Sequence, residues 1–180
     1  MTVRTPSQTI GPFFHVGLKW EDGSRVAFDS AGEKVVLTGI VYDGSGTPMA
    51  DALVETWQAD ATGKVPGPGA MAKPCGYSRG ATDGEGRYTI ETLMPGACSG
   101  PSGEKYAPQV HVTIFARGLL KAVRTRVFLA PAEAVKDDPL ARAAGARATT
   151  LIAARDAKDK SIWRWDVRLQ GKDETAFIEA

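Results

Sequence analysis

Residues 34–58 read KVVLTGIVYDGSGTPMADALVETWQ. Two runs rich in β-branched and aromatic residues, Lys34–Tyr42 and Ala52–Gln58, lie on either side of Asp43-Gly44-Ser45-Gly46. Aspartate, glycine and serine are the residues that tight turns favour, and β-branched residues are enriched in strands. The stretch therefore predicts two β-strands separated by a turn.

Short runs of strand-forming residues separated by turn residues continue on both sides of this stretch, and this pattern predicts an all-β fold. Further strands are predicted at residues 87–92, 110–115, 122–129, 162–169 and 175–178. The last two are expected to form a hairpin across residues 170–173. Helix is expected only as a small excursion at residues 138–155, interrupted at Gly145. Short strands at regular spacing indicate a β-sandwich or barrel with mostly antiparallel pairing.

Two segments outside these strands are expected to be irregular. Residues 1–33 begin with an arm that contains proline and glycine, and residues 34–180 are expected to form one sandwich domain. Residues 62–80 carry three prolines and five glycines and predict a long irregular loop. Ordered loops and arms on a sandwich are common places for binding sites and interfaces.

The composition excludes several classes of function. A net charge of +1 gives no electrostatic reason to expect nucleic acid or an anionic membrane as a partner. No segment has the length and apolar character of a signal peptide or a membrane span. With only two cysteines, Cys75 and Cys98, reduced thiols are expected rather than a disulfide framework. The cytoplasm is the expected location.

Histidine is as scarce as cysteine. The sequence holds only His15 and His111, and it contains no HxH, CxxC or HExxH motif. Most zinc and non-haem iron sites need several histidine, cysteine or carboxylate ligands that converge on one point. A complete metal site built from this chain alone is therefore not expected.

Motifs that run through the chain in a fixed order carry a family resemblance. They are TPSQTIGPFFHVGL at residues 5–18, LTGIVYDGSG and ETWQAD at residues 37–46 and 55–60, APQVH, IFARG and TRVF at residues 107–111, 114–118 and 125–128, and WDVRLQG at residues 165–171. In order and spacing they resemble the intradiol ring-cleaving dioxygenases, and among these the iron-free α chains of members that act on protocatechuate. The resemblance covers nearly the whole chain and implies a transthyretin-like β-sandwich.

The resemblance also implies where the metal belongs. Catalytic chains of the family bind Fe(III) through two tyrosines and two histidines, in a PGPY and an RPAHIH element. The matching elements here are Pro95-Gly-Ala-Cys98 and Gln109-Val-His111, and no tyrosine lies near residues 66–68. Cys98, Gln109 and His111 thus become degenerate metal-ligand positions. No metal is expected in this chain, and the non-haem Fe(III) is expected in a partner β chain of an αβ hetero-oligomer.

His111 and Cys98 could each be read as a metal ligand, but each also has a simpler structural interpretation. His111 lies in an apolar strand, where a hydrogen-bonded histidine of the core or of an interface is expected. Cys98 is expected to be a half-buried structural thiol rather than a soft metal ligand. Arg124 and Arg126 alternate onto one strand face, where acidic groups of this chain, an interface or solvent are equally acceptable surroundings.

The implied activity is cleavage of protocatechuate by O2 to 3-carboxy-cis,cis-muconate, in the β-ketoadipate pathway of aromatic degradation. By motif match, this chain would close one wall of the partner's pocket with Thr9, Gly11, Pro12, Phe13 and Arg117. A physical argument supports Arg117 separately, because a planar guanidinium can donate two parallel hydrogen bonds to the substrate carboxylate. The alternative is an ordinary surface arginine at the end of a strand.

A second class of function competes with this enzyme. A stand-alone transthyretin-like binding or interaction module would share the strand and turn pattern of residues 37–57 and 82–96, because that pattern encodes geometry rather than chemistry. The segments TPSQTIGPF and FARG favour the dioxygenase subunit, since a generic module needs neither.

Overall fold

The computed structural model describes residues 11, 13–28, 31–67 and 76–178. Its elements are α1 (Phe14–Gly17), β1 (Lys34–Tyr42), β2 (Leu53–Gln58), β3 (Tyr77–Ala81), β4 (Arg87–Leu93), β5 (Cys98–Ser99), β6 (Lys105–Tyr106), β7 (Gln109–Phe115), β8 (Val123–Phe128), α2 (Ala132–Val135), α3 (Pro139–Ala144), a 3₁₀ helix (Gly145–Leu151), β9 (Ala154–Arg155), β10 (Ile162–Arg164) and β11 (Val167–Arg168). No helix in these described ranges is long and apolar enough to cross a membrane.

The first sheet is built around β1. On one side β1 pairs with β4 in antiparallel orientation. On its other side it pairs in parallel first with β10 and then with β11, and β9 adds to β10. Because two successive strands share one neighbour, the chain must step out of the ladder between them, at Trp165 and Asp166.

The second sheet has the order β3-β2-β7-β8 and is antiparallel throughout. Its inner face packs on the first sheet, as strand alternation requires when one face of each sheet is buried. The core between the sheets includes Val35, Leu37, Val41, Val54, Tyr88, Ile90, Val110, Val112, Ile114, Val127, Leu129, Trp163, Trp165 and Val167. The opposite, outer face of this sheet carries the residues discussed below.

A buried glutamine ties the two sheets together. The Gln58 side chain is 1% exposed, and its Oε1 accepts a hydrogen bond from Thr92 Oγ1 at 2.8 Å. Its Nε2 donates to the backbone oxygen of Leu93 at 2.8 Å. Both ends of the amide are satisfied, which is the condition for a buried polar group to stabilise rather than destabilise a core. The pair fixes how β2 and β4 lie across the sandwich.

The all-β sandwich with a small helical excursion is confirmed. The helical segment packs over Phe128 in a second apolar cluster with Val135 and Leu151. It breaks at Gly145 as predicted, but it consists of α3 and a 3₁₀ helix, and α2 precedes it.

Two local predictions are wrong. Residues 175–178 form no strand, and residues 162–169 form β10 and β11, both parallel to β1, rather than one arm of a hairpin. Residues 77–80, predicted as loop, belong to β3. In β3 the buried positions are Ser78 and Gly80, which give no apolar alternation for sequence analysis to detect.

Gly39 makes the step between β10 and β11 possible. A Cβ atom at Gly39 would lie 1.8 Å from the backbone oxygen of Trp165. With hydrogen in that place, the fully buried Tyr88 hydroxyl donates to the same oxygen at 2.7 Å. On the other flank, the Asp166 side chain accepts a hydrogen bond from the Ile40 backbone nitrogen at 2.9 Å. The first sheet therefore closes around a position that only glycine fits.

Replacing Gly39 with alanine should lower the free energy of unfolding by roughly 1–3 kcal/mol or more, because a backbone atom of Trp165 would have to move. Urea denaturation monitored by tryptophan fluorescence measures the change. Gly84→Ala is the matched control, since nothing lies within 4 Å of its Cβ position. Equal stability of the Gly39→Ala variant and the wild type would contradict the close approach.

Candidate functional site

Two of the three degenerate metal-ligand positions lie at the start of β7 on the second sheet, and the third lies on the hairpin that precedes it. Gln109 opens β7 and His111 follows two residues later, so their side chains lie on the same face. Cys98 lies on β5, where it pairs with Tyr106 of β6. The β5–β6 hairpin leads directly into β7. Gln109 and His111 thus share one strand face, and their assignment with Cys98 to former ligand positions stays a prediction.

His111 belongs to a row of side chains that crosses the outer face of the second sheet. The strand register pairs Tyr77 with Trp57, Trp57 with His111, and His111 with Arg126. Beyond β8, the Arg126 guanidinium lies over the Tyr106 ring, 5.3 Å from its centre. We term these five residues the His111 row. Aromatic rings flank an imidazole and a fixed cation.

Two buried polar atoms of this part of the second sheet have no hydrogen-bond partner among the described residues. Gln109 is 4% exposed, and its Oε1 accepts no hydrogen bond. The Arg126 Nε is also buried and donates none. Arg126 takes part in none of the ion pairs found among the described residues. The two residues are diagonal neighbours on the paired strands β7 and β8.

The His111 side chain lies exposed on the outer face. The expectation of a core histidine is therefore wrong, because the residue alternates with inward-facing Val110 and Val112. Its role at an interface stays a prediction. Although the residue is exposed overall, neighbouring groups still desolvate its ring, and this desolvation, followed by the charge of Arg126, lowers the pKa of His111 to about 4. The imidazole is thus neutral at pH 7 and can donate one hydrogen bond and accept another.

The residues at the degenerate metal-ligand positions do not fit Fe(III). Gln109 offers a neutral amide, and Cys98 is a half-buried free thiol, as predicted. None of the three side chains offers the anionic phenolate oxygen that the family's Fe(III) takes, and Arg126 brings a positive charge next to His111 on the paired strand. Within the described parts of the chain, no group of three or more His, Cys, Asp or Glu residues could hold a metal ion.

A cavity of about 150 Å³ lies beside His111 on the same sheet face. Its lining residues are Glu55, Thr56, Trp57, Tyr77, His111 and Thr113. The walls of the cavity are therefore partly aromatic. Arg126 lies on β8, the strand next to the one that carries His111.

The charge of Glu55, the acidic residue that lines this cavity, is already neutralised by a neighbouring arginine. Its Oε1 accepts hydrogen bonds from Arg79 Nε at 2.7 Å and from the Tyr77 hydroxyl at 2.9 Å. Arg79 and Glu55 also form an ion pair with both side chains largely buried. Burial, and then the hydrogen bond and charge of Glu55, raise the pKa of Tyr77 to about 12. Glu55 is thus committed to β3 rather than to Arg126.

Arg79 also attaches the N-terminal segment to the sheet. Its guanidinium lies 4.7 Å from the centre of the Trp20 ring, and Nη1 donates to the backbone oxygen of Leu18 at 3.2 Å. Trp20 in turn stacks on Tyr77. Sequence analysis missed this cluster because β3 lay inside the predicted loop. Tyr77 and Arg79 lie on the same face of β3, and Arg79 pairs with Glu55 of β2. In the sequence this alternation is only a weak sign of a strand, and the strand register is needed to recognise it.

Arg117 lies beyond the opposite end of β7. Its side chain is 76% exposed, and its Nε lies 3.3 Å from Asp51 Oδ2. Phe115 is already about 13 Å along the extended strand from His111, and Arg117 lies further on. Arg117 is therefore available to a group outside this chain, and it does not reach the corner that holds Gln109.

Two of the four arm residues predicted to line a substrate pocket fall within the described residues. Gly11 has a φ of 79°, a left-handed conformation that glycine adopts without a steric penalty. Phe13 is 78% exposed, whereas Phe14 beside it is buried. Thr9 and Pro12 lie outside the described residues. The predicted contact of the arm with a substrate stays a prediction.

Replacing Arg126 with glutamine should raise the pKa of His111, because the neighbouring positive charge disfavours the imidazolium ion. The pKa should stay below the ordinary value of about 6.5, since the burial of the ring remains. A pH titration of the imidazole protons by NMR measures both. Arg124 lies on β8 like Arg126 but faces Thr113 of β7 instead of His111. The Arg124→Gln substitution should therefore shift the pKa of His111 much less. An equal shift in the two variants would contradict the assignment to Arg126.

Comparison with known proteins agrees with the motifs. A family model described as Dioxygenase matches residues 11–171. The chain is 35% identical to the protocatechuate 3,4-dioxygenase alpha chain of Pseudomonas putida, over 97% of this chain and 96% of that protein. It is 30% identical to the protocatechuate 3,4-dioxygenase beta chain of Burkholderia cepacia, over 80% of this chain and 67% of that protein.

The fold gives the same result. The crystal structure of catechol 1,2-dioxygenase from Pseudomonas arvilla C-1 superimposes with a TM-score of 0.64 and 26% identity, covering 82% of this chain and 55% of that one. The shared sandwich, the matched family model and the full-length relatives lead to one conclusion: the chain belongs to the intradiol ring-cleaving dioxygenase family.

Proposed function

We propose that this chain is the iron-free α subunit of a protocatechuate 3,4-dioxygenase and completes the active site of a β chain that binds Fe(III). One observation carries the proposal. The positions that match the family's ligand elements hold Cys98 on β5 and Gln109 and His111 on β7, instead of the two tyrosines and two histidines of a catalytic chain. Similarity to a named α chain along 97% of the sequence supports the same assignment.

The proposal divides the work between two chains of like fold. Iron is the family's cofactor, and the tyrosine and histidine ligands are assigned to the β chain. The 30% identity to a named β chain supports a partner with the same sandwich. Two like-folded chains can pack around an approximate two-fold axis, so that each presents the same elements to the other. In that arrangement the arm and Arg117 would contribute to the partner's pocket.

Exposed apolar side chains support an obligate complex. Phe13, Val16 and Leu120 are 78%, 67% and 76% exposed. Large exposed apolar groups are typical of surfaces that a partner covers. Obligate interfaces commonly bury on the order of 2,000 Å² or more. The N-terminal segment and the loop after β7 are therefore assigned to the interface with the β chain.

Arg117 is assigned to the substrate carboxylate. Its side chain is largely exposed, and among the described residues it forms one ion pair, with the partly exposed Asp51. Exposed ion pairs contribute about 0–1 kcal/mol, so giving up Asp51 for a substrate costs little. A charge-assisted hydrogen bond to a carboxylate contributes roughly 1.5–3 kcal/mol. The exchange favours the substrate.

The chain expressed alone should be colourless and contain no stoichiometric iron, whereas the complex with its β chain should show the burgundy colour of tyrosinate-to-Fe(III) charge transfer. The reason is the poor ligand set at Cys98, Gln109 and His111. Metal analysis and visible absorption spectra of both preparations provide the test. About one tightly held iron per isolated chain would overturn the assignment.

Replacing Arg117 with alanine should raise KM for protocatechuate about ten- to hundredfold, which corresponds to roughly 1.4–2.7 kcal/mol. Since the carboxylate stays bound from substrate to transition state, kcat should fall much less than kcat/KM. Steady-state kinetics of the reconstituted enzyme on protocatechuate and catechol measures the effect.

Catechol lacks the carboxylate, so wild-type enzyme should use it poorly and the Arg117→Ala variant should lose little further. Asp51→Asn removes the local partner of Arg117 and should leave KM for protocatechuate unchanged or slightly lower. Equal damage to both substrates in the Arg117→Ala enzyme would make Arg117 a structural residue and refute its assignment.

A further inference from the structure

The N-terminal segment before β1 lies between β3 and β4, an edge strand of each sheet. On the β3 side, the Gly23 backbone oxygen accepts a hydrogen bond from the Arg79 backbone nitrogen at 2.7 Å. On the β4 side, the Ser24 oxygen accepts one from the Glu91 nitrogen at 2.9 Å, and the Val26 nitrogen donates to the Glu91 oxygen at 2.8 Å. Open strand edges carry unpaired backbone groups, and the segment pairs with them here. It is therefore fixed to both sheets.

A turn brings Trp20 of this segment onto the side chain of Arg79. The Gly23 nitrogen donates to the Trp20 oxygen at 3.2 Å, and Asp22 within the turn has a φ of 56°, which is uncommon outside glycine. The Arg79 guanidinium lies 4.7 Å from the centre of the Trp20 ring, which also stacks on Tyr77. A cation over an aromatic face is attracted to it, most strongly when the ring is tryptophan. Trp20 thus adds a side-chain contact to the backbone pairing.

The Arg79 side chain is itself held from the sheet side. Its Nε and Nη2 donate to Glu55 Oε1, and this ion pair is largely buried, with the side chains 19% and 18% exposed. Because the guanidinium is a planar fork, its edge can pair with a carboxylate while its face stacks on a ring. The remaining nitrogen, Nη1, donates to the Leu18 oxygen at 3.2 Å. Arg79 therefore holds the N-terminal segment at two points, Leu18 and Trp20.

The first of these points lies directly after α1. The Leu18 nitrogen donates to the Phe14 oxygen at 3.0 Å and closes the single turn of this helix, while Arg79 holds the Leu18 oxygen. A helix of one turn is not stable by itself, so its place depends on contacts with the rest of the fold. Burial of Phe14 supplies one such contact, and the attachment at Leu18 supplies another. The exposed side chains of Phe13 and Val16 belong to this short unit.

We propose that Arg79 is a positioning residue for assembly with the β chain: it holds α1 so that Phe13 and Val16 are presented in one orientation before the chains meet. The inference rests on the proposed function, which assigns those side chains to the interface. Because Arg79 is largely buried, it acts through Leu18 and Trp20 rather than by touching the partner. A segment that is ordered before binding loses less conformational entropy on binding, so this attachment strengthens assembly.

The test is a competition for the β chain. Equal amounts of wild-type and variant chain are mixed with a limiting amount of β chain, and mass spectrometry of the complex gives their ratio. Trp20→Leu keeps an apolar side chain but removes the ring face, and Arg79→Lys keeps a charge for Glu55 but loses the planar fork. Each variant should be captured roughly tenfold less than wild type, the scale of a cation–π contact. Trp20→Phe restores a ring and should recover most of the capture.

Hydrogen exchange of the free chain provides a readout that needs no partner. A peptide that covers residues 13–21 should exchange faster in Trp20→Leu and in Arg79→Lys than in wild type. A peptide from β7 should exchange as in wild type, which checks that the sheets stay folded. Arg25→Gln is the matched control, because Arg25 lies in the same segment but pairs with Glu91 on the β4 side. Its loss should leave both capture and the exchange of residues 13–21 close to wild type.

Four results would overturn the inference. They are capture of Trp20→Leu and Arg79→Lys equal to that of wild type, unchanged exchange of residues 13–21 in both variants, an equal loss of capture in Arg25→Gln, and capture of Trp20→Phe as poor as that of Trp20→Leu. Any of these results leaves the proposed function standing if wild type joins the β chain. A wild-type chain that forms no complex with its β chain would refute the proposed function, and this inference with it.

Discussion

The close approach of Gly39 to the Trp165 backbone is the constraint on which the first sheet depends. Because Gly39 has no side chain, the Trp165 oxygen can accept the buried Tyr88 hydroxyl directly across β1. That contact holds the chain while it leaves the ladder between β10 and β11. It also places Trp163 and Trp165 in the core, where they are 5% and 3% exposed. The parallel return of the C-terminal strands follows from this single position.

The first sheet in turn holds the second sheet, on whose outer face the candidate site lies. Gln58 is hydrogen-bonded to β4 at both ends of its amide, which fixes the two sheets against each other. With the sheets fixed, the antiparallel register sets His111 opposite Arg126 and Trp57. The site residues are thus positioned by strands rather than by mobile loops, a rigid support for recognition.

Charge distinguishes the surroundings of His111 from a metal site. A metal site needs anionic donors around a cation, and these surroundings reverse the arrangement by placing a fixed cation among neutral groups. The charge of Arg126 helps keep His111 neutral by lowering its pKa, second to the burial of the ring. At the other end of β7, Arg117 remains exposed and available to a partner.

The sequence by itself determined the sandwich, β1, β2, β4 and β7, because alternation and turns are local properties of the chain. The replacement of ligand residues at Cys98 and Gln109 stays a prediction from the family resemblance. Only the tertiary structure decided the parallel pairing of β10 and β11 with β1, since contacts between distant strands leave no local pattern. β3 was hidden for a related reason: its buried positions are small or polar, and pairing with β2 makes it a strand.

The pairing of Arg126 with His111 depends on strand register, and a shift of one residue would turn that side chain to the other face. The sequence left solvent, an acidic group and an interface equally open for Arg126, and the fold decided among the residues it describes by giving the guanidinium no acid and burying its Nε.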